Sequence, residues 1–342
     1  MGTTKAHKIA VIGGDGIGPE VTDEGLKVLR AAGLDLETTT FDLGADRYLR
    51  DGEVLPDATM AELRAFDAIL LGAVGPAIGD DRIPGGTLER GLLLKMRFGF
   101  DQYINLRPFY GVPGSVADGC DFVVIRENTE GAYAGEGGLL RPNTPFEVAT
   151  QGSVNTYVGV ERCVRFAFEL AESREAKHLT LVHKTNVLTF AGSLWQRVFN
   201  EVHADFSDVE VAYNHVDAAC IYLVEAPSRY DVIVTDNLFG DILTDLAGAV
   251  TGGIGFAASA NLNPQHSAPS MFEPVHGAAH DIAGQQKANP LAAIASAGLM
   301  AIDLGETEVG ERIAAAVRAY ADENPTTTAT TAEIGDAIAG KV

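Results

Sequence analysis

The sequence contains few cysteines and no long hydrophobic run. Its three cysteines, Cys120, Cys163 and Cys220, are far apart and odd in number, so they fit neither a disulfide framework nor a metal-binding spacing. We expect them to be buried, reduced thiols. No apolar stretch approaches the ~20 residues that span a bilayer, and the N-terminal segment lacks a signal-peptide pattern. These absences predict a soluble, cytoplasmic protein with no membrane partner.

Positive charge is also scarce. The chain has 25 lysine and arginine residues against 47 aspartate and glutamate residues, and its formal net charge is -22. Such a surface disfavours nucleic acid and anionic membranes, because phosphate groups bind to clustered cations. We therefore expect a small-molecule substrate and no nucleic-acid partner.

Strand-like and helix-like segments alternate along the 342 residues, which is typical of α/β folds. The clearest strand is 8–14, and the clearest helices are 156–172 and 188–202. A hydrophobic content of 46% is enough for two domains, or for two lobes that share one sheet. The segment 131–150 is rich in glycine, proline and threonine, which predicts an extended arm or hairpin outside the main sheet.

The loop at 13–18 follows the first strand and is rich in glycine, as dinucleotide-binding loops are. Its glycines stand at positions 13, 14, 16 and 18, and they do not form the G-x-G-x-x-G spacing of a Rossmann fold. The ordinary Rossmann fold is therefore disfavoured.

Asp241 and Asp245 lie four residues apart in a segment that reads as a strand end followed by a helix. Residues at this spacing share one helix face, and two carboxylates there repel each other unless a cation lies between them. Mg²⁺ suits such a site because it prefers oxygen ligands. Asp217, at the start of another helix, could supply a third oxygen. The alternative is that these acids stabilise helix N-termini.

Three arginines, Arg97, Arg107 and Arg126, stand at predicted strand and loop ends. Arginine offers a planar pair of donors that matches a carboxylate, so three of them suit a dicarboxylate substrate. Surface salt bridges are the alternative for each one alone.

Two residues suit proton transfer. Tyr133 lies in a glycine-rich turn, and Lys184 ends the apolar strand 178–183, where a desolvated amine can act as a general base. The alternatives are a packing tyrosine and a solvated strand end. A long polar loop, 272–290, carries His276 and Asp281. An acid there can accept hydrogen bonds from a ribose diol and would repel a 2′-phosphate, which favours NAD over NADP.

Eight motifs occur in one order along the chain: GDGIGPEV, LERGLLL, INLRP, VIRENTEGAYAG, HKTNVL, VDAACIYLV, VTDNLFGDILTDLA and MFEPVHGAAHDIAGQQKANP. With its motifs in this order, the chain resembles the β-decarboxylating dehydrogenases, the family of isocitrate and isopropylmalate dehydrogenases. The resemblance extends over nearly the whole chain. The resemblance implies an α/β fold of two lobes that share a mixed sheet. Residues 1–102 and 255–342 would form a discontinuous cofactor-binding lobe, and 103–254 a dimerisation and substrate lobe.

The resemblance also implies a homodimer with shared active sites, with further association to a tetramer left open. Lys184 and Asp217 would reach the active site of the partner subunit. The cofactors would be NAD and Mg²⁺ or Mn²⁺, and activation by K⁺ is left open. Lys184 would accept the proton of the substrate C2 hydroxyl, and Tyr133 would protonate the enol carbon after CO₂ leaves.

The remaining implied roles concern binding. The substrate carboxylates would be held by Arg97, Arg107 and Arg126. The metal would be held by Asp241, Asp245 and the partner's Asp217. The residues implied for NAD are Glu89, His276, Gly277, Asp281 and Asn289.

Leu92 and Leu93 favour a substrate with an apolar substituent over isocitrate. Isocitrate enzymes of the family carry polar residues there, whereas an apolar pocket suits an isopropyl group and would leave a third carboxylate unpaired. We therefore expect oxidative decarboxylation of 3-isopropylmalate in leucine biosynthesis.

The chain has one residue more than the common pattern between LERGLLL and INLRP, as malate and tartrate enzymes do, so D-malate or tartrate is an alternative substrate. A non-catalytic metal- or nucleotide-binding protein is a further one. The chain also has His280 where the family usually has proline.

Overall fold

A ten-stranded mixed sheet forms the centre of the computed structural model, which describes residues 6–342. The first five residues of the expected 1–102 lobe lie outside the described residues. The strands are β1 (His7–Gly14), β2 (Leu36–Thr40), β3 (Ala68–Ala73), β4 (Ile104–Tyr110), β5 (Asp121–Glu127), β6 (Gly137–Leu140), β7 (Val148–Gln151), β8 (His178–His183), β9 (Glu210–His215), β10 (Val232–Thr235), β11 (Ala258–Leu262) and β12 (Ser270–Pro274).

Eleven α-helices surround the sheet in the described part of the chain. They are α1 (Gly18–Ala31), α2 (Ala45–Asp51), α3 (Asp57–Leu63), α4 (Lys95–Gly99), α5 (Tyr157–Ser173), α6 (Thr189–His203), α7 (Val216–Glu225), α8 (Asn237–Thr251), α9 (Leu291–Asp303), α10 (Thr307–Glu323) and α11 (Thr331–Ala339). A π-helix, Glu89–Leu94, runs directly into α4.

The sheet order is β2-β1-β3-β12-β11-β4-β5-β10-β8-β9. Parallel pairs form both ends, and antiparallel pairs join β12, β11, β4 and β5 in the middle. The mixed sheet confirms the expected fold class. Strands from the two ends of the chain occupy one half and strands from 104–235 the other. The proposed boundaries of the two lobes stay a prediction.

Alternate strand residues pack on opposite faces, so the sheet is covered on both sides. Ile9 and Val11 of β1 face a large cluster with α1, α5, α6, α9 and α10, whereas Ala10 and Ile12 face a smaller one. A third cluster joins β5 and β10 to α7 and α8. All six residues of β3 are buried, as expected of a central strand.

The hairpin expected from the composition of segment 131–150 spans Gly137 to Gln151. Strands β6 and β7 pair antiparallel as a separate two-stranded sheet, and every one of their side chains is exposed. Its exposed apolar residues are Leu139, Leu140, Phe146 and Val148.

Two expectations need correction. Cys163 is buried, but Cys120 and Cys220 are only partly buried, and all three are free thiols. Helix α11 was not predicted, although its Thr330 and Glu333 form the reciprocal cap that a T-x-x-E sequence signals. Between residues 6 and 342, no helix has the length and apolar character needed to cross a membrane.

Candidate active site

A cleft with a volume of about 310 Å³ lies between the π-helix and α8, beside the ends of β3 and β12. Most of the residues selected from the sequence line it: Glu89, Leu93, Arg97, Arg107, Asp241, Asp245, His276 and Gly277. These residues come from four separate segments of the chain, so only the fold brings them together.

The π-helix forms one wall of the cleft and runs directly into α4. A π-helix has more residues per turn than an α-helix, and such turns are frequent at functional sites. Residues four apart lie on one face across the π-helix and α4. Glu89, Leu93 and Arg97 face the cleft, whereas Leu92 and Met96 are fully buried in the second hydrophobic cluster. The expected substrate contact of Leu92 is therefore not supported, and Leu92 is a core residue.

The three arginines are buried near one another but have different partners. Arg97 forms a 3.0 Å ion pair with Glu273, and Arg126 forms a 2.5 Å ion pair with Asp241. Arg107 donates to the Thr244 hydroxyl at 2.5 Å. Burial, together with the charges of Arg126 and Arg97, lowers the pKa of Arg107 to about 10.

Arg107 is thus a buried cation without a carboxylate partner among residues 6–342. Its Nε atom has no hydrogen-bond acceptor there either. A buried charge of this kind is costly unless an opposite charge reaches it. An anionic ligand in the cleft would supply that charge.

Helix α8 positions the carboxylates. Asp236 caps its N-terminus by accepting a hydrogen bond from Phe239 N at 2.8 Å. One turn into the helix, Asp241 accepts hydrogen bonds from Arg126 and from the Tyr133 hydroxyl, the latter at 2.8 Å. Gly240 leaves room for the Arg126 side chain, because a Cβ atom there would lie 2.5 Å from Arg126 Cγ.

The two aspartates of α8 have opposite environments. Burial alone would raise the pKa of Asp241, but Arg126 and Tyr133 outweigh it and lower the pKa. Burial and the charge of Asp241 raise the pKa of Asp245. Asp245 has no hydrogen bond or ion pair within the described chain. Asp245 is an exposed residue at the cleft, and no arginine or lysine among residues 6–342 forms an ion pair with it.

This arrangement fits a divalent cation, but only in part. Asp241 and Asp245 line the same cleft, and two carboxylates of which only one has an ion pair suit a hard cation. Residues 6–342 contain no cluster of three or more acidic, histidine or cysteine side chains able to hold a metal.

Lys184 and Asp217 do not line the cleft. They form a 2.7 Å ion pair with each other, and the Asp217 side chain is 68% exposed. The hydrogen bond from Lys184 lowers the pKa of Asp217. The Tyr133 hydroxyl donates a hydrogen bond to Asp241, which lines the cleft. The pKa of Tyr133 is raised, mainly by burial, so the hydroxyl keeps its proton.

The loop after β12 carries the residues selected for NAD. His276 and Gly277 line the cleft, and burial lowers the pKa of His276. The buried Nε2 atom of His276 has no partner in the described structure, and nothing lies within 4 Å of a Cβ atom placed on Gly277. A ligand therefore has both a free polar atom and space. Asp281 and Asn289 lie on the same loop but outside the cleft, and Asn289 accepts a hydrogen bond from Leu291 N at 3.0 Å.

Two residues of the site were missed in the sequence. Glu273 is a buried acid in the apolar strand β12, and it binds both Arg97 and Asn261. Thr244 holds Arg107. A charged residue inside an apolar strand is a signal that would have identified Glu273, whereas nothing in the sequence distinguishes Thr244 from other helix threonines.

Comparisons with known proteins agree on one family. The sequence profile of the isocitrate/isopropylmalate dehydrogenase family matches residues 8–338. The chain is 58% identical to a 3-isopropylmalate dehydrogenase of Clavibacter sepedonicus, with 96% of each chain covered, and 59% identical to one of Corynebacterium diphtheriae, with 97% of this chain and 98% of the other covered. The crystal structure of isocitrate dehydrogenase from Methylococcus capsulatus is similar, with a TM-score of 0.87, 34% identity, and 98% of this chain and 99% of the other covered.

The two leucines of the π-helix differ in their expected effect on stability. Leu92→Ala leaves a cavity in the core and should lower the free energy of unfolding by about 2–5 kcal/mol. Leu93→Ala, at the partly buried cleft wall, should lower it by about 1 kcal/mol or less. Urea denaturation of both variants measures the difference. Equal losses would contradict the assignment of Leu92 to the core and Leu93 to the cleft.

Proposed function

The chain belongs to the isocitrate/isopropylmalate dehydrogenase family, and we propose that it is an NAD-dependent enzyme that oxidises and decarboxylates 3-isopropylmalate to 2-oxoisocaproate in leucine biosynthesis. The observation that carries this proposal is the cleft itself. It combines the unpaired cation of Arg107, the unpaired carboxylate of Asp245 and the apolar wall of Leu93.

The lining of the cleft supports the substrate. Arg97, Arg107 and Arg126 would bind the two carboxylates of a malate-type acid. Leu93 would contact its isopropyl group. Isocitrate has a third carboxylate at this place, and an apolar wall would leave that carboxylate without a hydrogen bond, which is unfavourable.

The metal and the proton transfers follow from the same residues. Asp241, Asp245 and the partner's Asp217 would hold Mg²⁺ or Mn²⁺, which when bound would polarise the C2 oxygen as a Lewis acid. Lys184 would accept the C2 hydroxyl proton while hydride passes to NAD. Tyr133, which keeps its proton, would then donate it to the carbon that has lost CO₂.

A shared site would explain the position of Lys184 and Asp217. They form an ion pair away from the cleft of their own chain, as groups that serve a second subunit would. Several apolar side chains around them are exposed in the single chain, which is typical of a surface that a partner covers. On the helices α7 and α8 these are Ile221, Val224, Leu238 and Ile242. We therefore propose a homodimer.

The dinucleotide would lie along the loop after β12. Glu89 would lie near the nicotinamide, and His276, Gly277 and Asn289 would contact the adenosine part. Asp281 would accept hydrogen bonds from the ribose diol, which favours NAD over NADP. The three free thiols support a reducing compartment, and we propose the cytoplasm.

The substrate proposal predicts a ranking of activities. With Mg²⁺ and NAD, kcat/KM should be highest for 3-isopropylmalate and at least tenfold lower for D-malate, because D-malate lacks the apolar group that Leu93 contacts and burying three carbons is worth about 2 kcal/mol. Initial rates of NADH formation with 3-isopropylmalate, D-malate, tartrate and isocitrate measure it. A higher kcat/KM for D-malate would overturn the assignment to leucine biosynthesis.

The metal proposal predicts a selective effect of Asp245→Asn. The change keeps the shape of the side chain but removes one anionic ligand, so the Mg²⁺ concentration for half-maximal activity should rise about tenfold or more. Asp35→Asn, in an exposed turn, is the matched control. Calorimetric titration with Mn²⁺ gives the same comparison without turnover. An unchanged metal requirement would remove Asp245 from the metal site.

A further inference from the structure

Three loops meet at the edge of the sheet next to the cleft. Strands β1, β3 and β12 are parallel neighbours, so their carboxyl ends lie side by side. The glycine-rich loop 13–18 lies at the end of β1, the loop 74–88 follows β3, and the loop 275–290 follows β12. The last of these carries the residues proposed for NAD, and the loop 74–88 leads directly to Glu89.

The peptide groups around Gly75 connect these loops. The Gly75 N–H donates to the Asp15 carboxylate at 2.9 Å, and the Gly75 carbonyl accepts a hydrogen bond from His280 Nε2 at 2.7 Å. Asp15 is itself buried and also accepts from Ala45 N at 2.8 Å. Gly75 is therefore fixed from the glycine-rich loop on one side and from the loop 275–290 on the other.

His280 provides a side-chain contact between the loop 275–290 and the loop 74–88. A separate backbone hydrogen bond, from Ile17 N to Ala278 O at 2.8 Å, attaches the loop 275–290 to the glycine-rich loop. The carbonyl of Gly75 can only accept, so His280 must carry its proton on Nε2. The family resemblance leads one to expect proline at position 280, and proline has no side-chain donor. The contact therefore belongs to this chain's own sequence.

We propose that His280 is a positioning residue for the dinucleotide, because it ties the loop that carries His276 and Gly277 to the loop that leads to Glu89. The two surfaces that would contact the two ends of NAD are then held at a fixed separation before the dinucleotide arrives, which lowers the ordering cost of binding. This inference rests on the proposed function, since it requires the cleft to bind NAD.

His280→Ala tests the inference. Loss of one hydrogen bond between loops should weaken NADH binding about three- to tenfold, measured by NADH fluorescence in the absence of substrate. The KM for NAD should rise by a similar factor, while the KM for 3-isopropylmalate and the kcat at saturating NAD stay within about twofold of the original values. His280→Gln keeps a donor at a similar reach and should restore most of the affinity.

His266→Ala is the matched control. His266 is an exposed histidine at the opposite end of β12, and its removal should leave NADH binding unchanged. Unaltered NADH affinity in His280→Ala would overturn the inference. So would an equal loss in His280→Gln, or an equal rise in the KM for 3-isopropylmalate, because either result would indicate general disruption. Failure of the unmodified protein to bind NADH would overturn the proposed function, and this inference with it.

Discussion

The burial of three arginines around one cleft is the constraint on which the site depends. Two of them are neutralised within the chain, Arg97 by Glu273 and Arg126 by Asp241. Arg107 is left with only the Thr244 hydroxyl, while Asp245 on the same wall has no cation. Arg107 is buried, and an unmatched buried charge destabilises a protein by about 3–5 kcal/mol when nothing compensates it, whereas Asp245 is exposed at the cleft. An anionic ligand beside Arg107 and a cation beside Asp245 would complete the charge balance of the cleft.

The fold meets this constraint by joining distant segments. Arg107 lies on β4, the aspartates on α8, and Glu273 on β12, which pairs with β3 far earlier in the chain. The sheet thus places strands from the two ends of the chain next to strands from the middle of the chain. The π-helix and α4 complete the wall, because Leu93 and Arg97 lie on the side that faces the cleft.

Much of this could be predicted from the sequence, for identifiable reasons. The strands and long helices carry strong periodic patterns, and the aspartate pair of α8 lies on one face because of its i, i+4 spacing. The burial of Leu92 was not predicted, because adjacent leucines look alike until their positions on the helix are known. Glu273 and Thr244 were missed because their roles depend on partners far away in the sequence. The exposure of Cys120 and Cys220 likewise depends on packing that no local pattern encodes.

The central claim is that two copies of the chain complete each site, with Tyr133 from one and Lys184 from the other. Mixed dimers test it most directly. Tyr133→Phe and Lys184→Ala are each expected to be nearly inactive, but a mixed dimer would contain one intact site. After subunit exchange, an equal mixture should therefore regain about a quarter of the original activity. If the mixture stays as inactive as the separate variants after subunit exchange has been verified, the claim that two subunits share each active site is wrong.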